Sequence, residues 1–196
     1  MRRAVPLFAA VLLLAGCSST TTGSPTSGST PGSTASEPSS AGKPTSTAKE
    51  PAKRPKTINV RDVDPCTLLT EAQRTQFGAD QPPTPGTVEE LNWVTCHFNR
   101  GDRKYLIGTT VIVTEGIEFY TESAQRDKAE KLEVGGFPAV LIKNAGRVPK
   151  CTIAVDVSDG QMVQAGVSSF DGTDIDALCQ LVPQVAGAVV ANLMAK

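Results

Sequence analysis

The sequence predicts an α+β domain: a twisted, mostly antiparallel sheet with helices packed on one face, stapled by two disulfides. Three observations carry this. Period-two runs at Asn92 to Phe98, Lys104 to Thr114, Phe137 to Lys143, Cys151 to Val157 and Gln161 to Ser168 read as strands. Near the C-terminus, Ile175, Leu178, Val182, Val185, Val189 and Leu193 recur at helical spacing, widened by Cys179, Ala186 and Val190. Four cysteines, Cys66, Cys96, Cys151 and Cys179, lie in the stretch that is apolar enough to fold.

Only part of the 196-residue chain belongs to that domain. Residues 1–16 read as an export signal: Arg2 and Arg3, then an apolar run from Ala4 to Leu14 that is too short for a permanent membrane span. The run ends in Leu14-Ala15-Gly16-Cys17, a bacterial lipobox. Its cysteine thiol is the nucleophile that accepts diacylglycerol, so Cys17 is the expected lipidation site. Residues 17–56 then read as a tether. From Ser18 to Lys56, Ser, Thr, Pro and Gly make up 28 of 39 residues. Such a composition cannot bury enough surface to offset its ordering entropy, and no fixed structure is expected there. Residues 57–196 form the domain.

Charge separates the parts. The tether carries +3, from Lys43, Lys49, Lys53, Arg54 and Lys56 against Glu37 and Glu50. The domain holds 12 basic and 18 acidic residues, a net −6. An acidic domain repels phosphate backbones, so nucleic acid is not an expected partner.

The elements follow in order. Asp64-Pro65-Cys66 caps and opens a helical turn, and Thr70-Glu71-Ala72-Gln73 is a capping box. Gly78 stops that helix. Residues 82–86, rich in Pro and Gly, read as loop. Residues 92–98 are a strand with Val94, Cys96 and Phe98 on one face and Trp93, Thr95 and His97 on the other. Residues 99–102 turn the chain into the strand at 104–114. Ile117 to Leu132 is charged and amphipathic and predicts a helix, broken by Gly135-Gly136. A strand at 137–143, a loop at 144–149, and a hairpin around Ser158-Asp159-Gly160 come next. The last helix contains Pro183, where a kink is expected.

The exported domain sits in an oxidising compartment, and none of its cysteines forms a Cys-x-x-Cys pair. Cys66 and Cys179 fall on helices that should cover the sheet, and Cys96 and Cys151 fall on strands. This predicts Cys66–Cys179 and Cys96–Cys151.

No catalytic constellation stands out. His97 is the only histidine; a base there would need Ser168 or Ser169 and an orienting carboxylate, and no Gly-x-Ser-x-Gly elbow is present. Trp93 and Tyr105 could offer an aromatic platform to a glycan or lipid, against the plainer role of packing sheet on helix. Asp171 to Asp176 invites a calcium reading but lacks a twelve-residue loop ending in Glu, and Asp before a long helix is ordinary capping. Gly135-Gly136 reads as a turn, with a lid hinge as the sharper alternative. No metal or cofactor is expected.

Taken together, the lipobox, the Ser/Thr/Pro tether, Asp64-Pro65-Cys66-Thr67-Leu68-Leu69-Thr70, a mid-domain Cys96 near Trp93, Gly135-Gly136-Phe137-Pro138-Ala139 and the later cysteines resemble a family. It is that of actinobacterial secreted lipoproteins classed as a domain of unknown function. The family is distantly similar to the extracellular sensor domains of mycobacterial Ser/Thr kinases, which are disulfide-stapled and carry a cleft. The resemblance covers residues 1–17 and 60–196. In the family a Trp often follows the mid-domain cysteine, whereas here Trp93 precedes Cys96.

The expected function is that of a membrane-anchored extracytoplasmic lipoprotein. It would be a monomeric, non-catalytic module that binds or senses lipid, a cell-wall fragment or an envelope protein. The alternative is a cell-envelope hydrolase, for which a close carboxylate pair such as Glu89/Glu90 with another acid would be the signature.

Overall fold

The computed structural model describes residues 53–122 and 129–196. The signal, Cys17, almost all of the tether and the middle of the helix expected at 117–132 lie outside the described residues. The seven strands are β1 (Thr84–Val88), β2 (Trp93–Asn99), β3 (Tyr105–Ile112), β4 (Ala129–Val134), β5 (Phe137–Asn144), β6 (Lys150–Ser158) and β7 (Gln161–Ser169). They form one open sheet in the order β1-β2-β3-β7-β6-β5-β4. Every pairing is antiparallel.

Alternation decides what each face carries. Cys96, Phe98, Ile107, Val111, Ile153, Val155, Val163, Ala165 and Val167 point to one face and build the main core. Helix α3 (Ile175–Met194) lays Leu178, Val182, Val185, Val189 and Leu193 on that face. Beside it, a 310 turn at Pro65–Thr67 and helix α1 (Glu71–Gln76) bring Leu68, Leu69 and Phe77 onto the same core. Asp64 accepts from the Cys66 N–H, and Thr70 and Gln73 form the expected reciprocal capping box. By length and composition α3 could cross a membrane. Its apolar stripe is spent on the sheet instead.

Among the described residues the opposite face is covered at one end only. The one-turn helix α2 (Glu118–Thr121) and Ile117 before it pack over Trp93, Ile112, Val140, Ala154 and Met162.

Four sequence expectations need correction. The disulfides are Cys66–Cys96 and Cys151–Cys179, not Cys66–Cys179 and Cys96–Cys151. Two strands, β3 and β7, separate β2 from β6. Cys96 and Cys151 are therefore at least three strand spacings apart, about 14 Å, twice what a disulfide spans. Each helical cysteine meets the strand cysteine beneath it. The two ends of the domain still touch, but through the last turns of α3: Asn192 Nδ2 donates to the Leu68 carbonyl at 2.9 Å and to Gln73 Oε1 at 2.7 Å.

The helix expected at 117–132 is helical only over Glu118–Thr121, and Ala129–Val134 is strand β4. Pairing with β5 overrides the helix-favouring Ala-Glu-Lys-Leu composition. Glu130, Lys131 and Glu133 suit it as an outer strand, because charge there discourages edge-to-edge association. Gly135-Gly136 is accordingly the two-residue loop of a β4–β5 hairpin, with Val134 paired to Phe137 and both glycines at positive φ (59° and 83°).

The loop expected at 82–86 contributes instead to β1, whose Pro85 is tolerated because the strand is at the sheet edge. Lastly, Arg54, assigned by composition to the tether, is packed on the domain. Its guanidinium bonds Asp156 and Asp159, each at 2.8 Å.

Candidate ligand-binding groove

Register places residues from four central strands side by side on the half-covered face. His97 on β2 pairs with Gly108 on β3, Gly108 with Gly166 on β7, and Gly166 with Thr152 on β6. Directly paired residues point to the same face. Two adjacent glycines therefore leave a hollow between His97 and Thr152. One row along lie Thr95, Thr110, Gln164 and Ala154; on the other side lie Asn99, Leu106, Ser168 and Lys150.

The hollow is real space. A Cβ on Gly108 would meet nothing closer than the Cys96 carbonyl at 3.9 Å and His97 Cδ2 at 4.0 Å. One on Gly166 would come within 3.1 Å of Lys150 Cε, so the lysine stem crosses the sheet above that glycine. The hollow opens into a groove of about 450 Å³. Trp93, Phe119, Tyr120 and Leu91 line its other end, and Ile142 flanks the hollow beside Thr152. Trp93 packs edge-on to Phe119 at 5.2 Å between centroids, and Phe119 edge-on to Tyr120 at 4.9 Å.

The polar groups of the floor are largely tied to one another. Thr95 Oγ1 donates to the Thr109 carbonyl at 2.9 Å, and Gln164 Nε2 donates to the Tyr120 hydroxyl at 2.8 Å. Trp93 Nε1 is buried without a partner. Burial pushes the Tyr120 phenol up to about 12, aided by the charge of Glu115 and opposed by the Gln164 bond. Desolvation first, and the Lys150 charge second, lower the His97 pKa below 6.5. Desolvation also lowers the Lys150 pKa from 10.5. At neutral pH, His97 is thus the neutral member of the pair, able to donate from one ring nitrogen and accept at the other.

The residues weighed from sequence separate. His97 and Ser168 lie in the groove lining, while Ser169, next along β7, points to the other face and donates to Asp171 at 2.9 Å. Trp93 forms the groove wall, but Tyr105 is on the opposite face, so the two make no common platform. Tyr105 packs under the Arg100 guanidinium at 4.5 Å and donates to the Phe77 carbonyl. Asp171 is occupied by Thr173 and Ser169, and Asp174 caps α3 by accepting from the Asp176 N–H. Among the described residues no cluster of three or more His, Cys, Asp or Glu is placed to hold a metal. Glu89 and Glu90 sit in an exposed 310 turn and do not line the groove.

Gly108, Gly166, Lys150, Gln164, Phe119 and Tyr120 are the site residues that sequence reasoning passed over. Alternation alone could have put Thr152 and Lys150 on one face, but nothing local pairs Gly108 with Gly166. A second depression, of about 860 Å³, lies by the β2–β3 turn and is lined by Arg100, Arg103 and the exposed Phe170. Arg100 is already committed there, to Asp102 and Tyr105.

Comparison with curated proteins and with solved structures finds no match. A family model does match, over residues 12–192, and so spans Leu14 to Cys17 and the domain that holds the groove. The chain therefore belongs to the family described as Protein of unknown function (DUF3558).

Proposed function

We propose that this chain is a lipid-anchored, extracytoplasmic binding module, without catalytic activity, that takes a small ligand on the half-covered face of its sheet. The observation that carries the reading is the paired Gly108 and Gly166, which keep a hollow open in the middle of a sheet whose other face is fully packed. A groove of about 450 Å³ falls in the size range of small-molecule sites, roughly 300–1,000 Å³. His97 lies among hydroxyls, glycines and Lys150, with no carboxylate among the described lining residues to orient it as a base.

Anchoring is read from the lipobox at Leu14 to Cys17. Two or more acyl chains hold a protein stably on a membrane where one does not. Arg54, where the tether joins, is bonded at Asp156, six residues along β6 from Lys150. At ~3.3 Å per residue that is about 20 Å. The mouth beside Lys150 therefore lies at the opposite end of β6 from Arg54.

Native mass spectrometry of the chain purified from its own host tests the binding role. A copurifying small molecule should be present on the wild type and missing from Gly108→Val. A bound mass retained equally by both would place the ligand elsewhere. Metabolic labelling with a palmitate analogue should mark the wild type and not Cys17→Ala; equal labelling would end the anchoring role.

A further inference from the structure

We infer that the groove takes an anionic amphiphile, its carboxylate or phosphate head at Lys150 and His97 and its apolar body along Trp93, Leu91 and Phe119. This rests on the groove being the binding site and adds the class of its ligand.

Charge carries the first half. The domain is acidic, with a net −6, yet the only charged side chain among the described residues lining the groove is Lys150. Lys143, on the neighbouring strand, pairs with Asp176, but among the described residues no carboxylate pairs with Lys150. Its stem lies across Gly166, toward the hollow. A lone cation set in a lining of hydroxyls and amides, on a protein that is otherwise negative, selects a negative group. Thr152, Ser168 and His97 around it supply further donors to such a head.

Segregation carries the second half. Lys150, Asn144 and Ser168, then Thr152 and His97, occupy one end, Thr95, Thr110 and Gln164 lie one row further in, and Trp93, Leu91 and Phe119 occupy the other end. From the row of His97 to the row of Trp93 is four residues along β2, about 13 Å. A ligand filling both ends is elongated, with its charge at one end. The aromatic wall is edge-to-face, so it presents ring edges and flanks rather than one flat platform, which suits an aliphatic body better than a stacked planar one.

Trp93 is the only tryptophan, so its fluorescence reads the groove directly. The probes are decanoate, decyl phosphate, decanol, decyltrimethylammonium, acetate and inorganic phosphate, titrated into the full chain carrying Cys17→Ala. Decanoate and decyl phosphate should shift Trp93 emission saturably, and the neutral and cationic chains should bind at least tenfold more weakly. Lys150→Gln should weaken decanoate about tenfold, the weight of one charge-assisted hydrogen bond, and leave decanol unchanged. Gly108→Val should abolish the shift for every probe. Its thermal melt should match the wild type, since the added Cβ makes only ordinary contacts, with the Cys96 carbonyl at 3.9 Å and His97 Cδ2 at 4.0 Å, and valine favours a strand.

Decanol binding as tightly as decanoate, or an unchanged Lys150→Gln, overturns the anionic class and leaves the groove standing. Acetate or inorganic phosphate binding as tightly as decanoate overturns the amphiphile in favour of a free anion. No shift with any probe, or a shift kept in Gly108→Val, overturns the groove itself.

Discussion

Cys151 on β6 and Cys179 on α3 are bonded across the interface between the sheet and the helix that covers it, their Cα atoms 5.2 Å apart. The bridge fastens the first turns of α3, while Leu178 and Val182 beside it are buried in the core. It closes a loop of 28 residues, which the chain-entropy relation values at about 3–4 kcal/mol. Cys151→Ala/Cys179→Ala should lower unfolding free energy by that amount, a large share of the roughly 5–15 kcal/mol of a typical domain. Urea denaturation of the oxidised proteins measures it. A loss below about 1 kcal/mol would mean that packing alone seats the helix. Non-reduced peptide mapping should recover Cys66–Cys96 and Cys151–Cys179 as the linked pairs.

Among the described residues Arg54 is the only cation paired with Asp156, whose side chain is 2 % exposed. Burial raises the Asp156 pKa above 3.8 despite that partner, so the folded state holds the proton more tightly than the unfolded chain. The resulting stability is fully present below pH 3.8 and is lost as pH rises through the folded pKa. Arg54→Ala removes the compensation and leaves a buried carboxylate unpaired, at a cost of about 3–5 kcal/mol near pH 7. The deficit should shrink at pH 4, where the carboxyl takes a proton instead. Arg54→Ala/Asp156→Asn should recover most of it at both pH values. A deficit independent of pH would show that Arg54 acts through packing and not through charge.

Features held by local chemistry were legible from sequence. The capping box at Thr70 and Gln73, the Asp159-Gly160 hairpin and the α3 stripe depend on residues a few positions apart, and each is found as expected. The groove was not legible, because Gly108 and Gly166 become neighbours only when β7 inserts between β3 and β6. The disulfides failed for the same reason: pairing like element with like ignores the two strands between Cys96 and Cys151. At Ala129–Val134, helix propensity lost to cross-strand pairing that no window of that length contains.

Tyr120 offers a direct probe of the closed end of the groove. Its hydroxyl accepts from Gln164 Nε2, and burial pushes its pKa up to about 12. Ultraviolet titration of the folded chain should show one of the two tyrosines ionising only near pH 12. The stability held by the protonated phenol is complete below pH 10 and lost as pH rises from there toward 12. Tyr120→Phe should remove the late transition and cost about 1 kcal/mol for the stranded amide. A Tyr120→Phe curve that still contains the late step would assign it elsewhere and open the wall to water.

Pro183 stands inside α3, yet the helix runs unbroken from Ile175 to Met194. The sequence predicts a kink rather than two separate helices, and the helix is undivided: Val182 and Val185 on either side of the proline are both fully buried against the sheet. The imino nitrogen still leaves the Cys179 carbonyl without its usual i→i−4 donor. Pro183 is exposed, so replacing it disturbs no packing. An interior proline costs about 3 kcal/mol relative to alanine, and the entropy it removes from the unfolded chain returns about 1 kcal/mol at most. Pro183→Ala should therefore stabilise the domain by about 2 kcal/mol. The urea midpoint should rise with no change in the slope of unfolding free energy against urea. A midpoint at or below that of the wild type would mean that the backbone around residue 183 has already relaxed away from helical geometry, and that the proline fits the strain it would otherwise create.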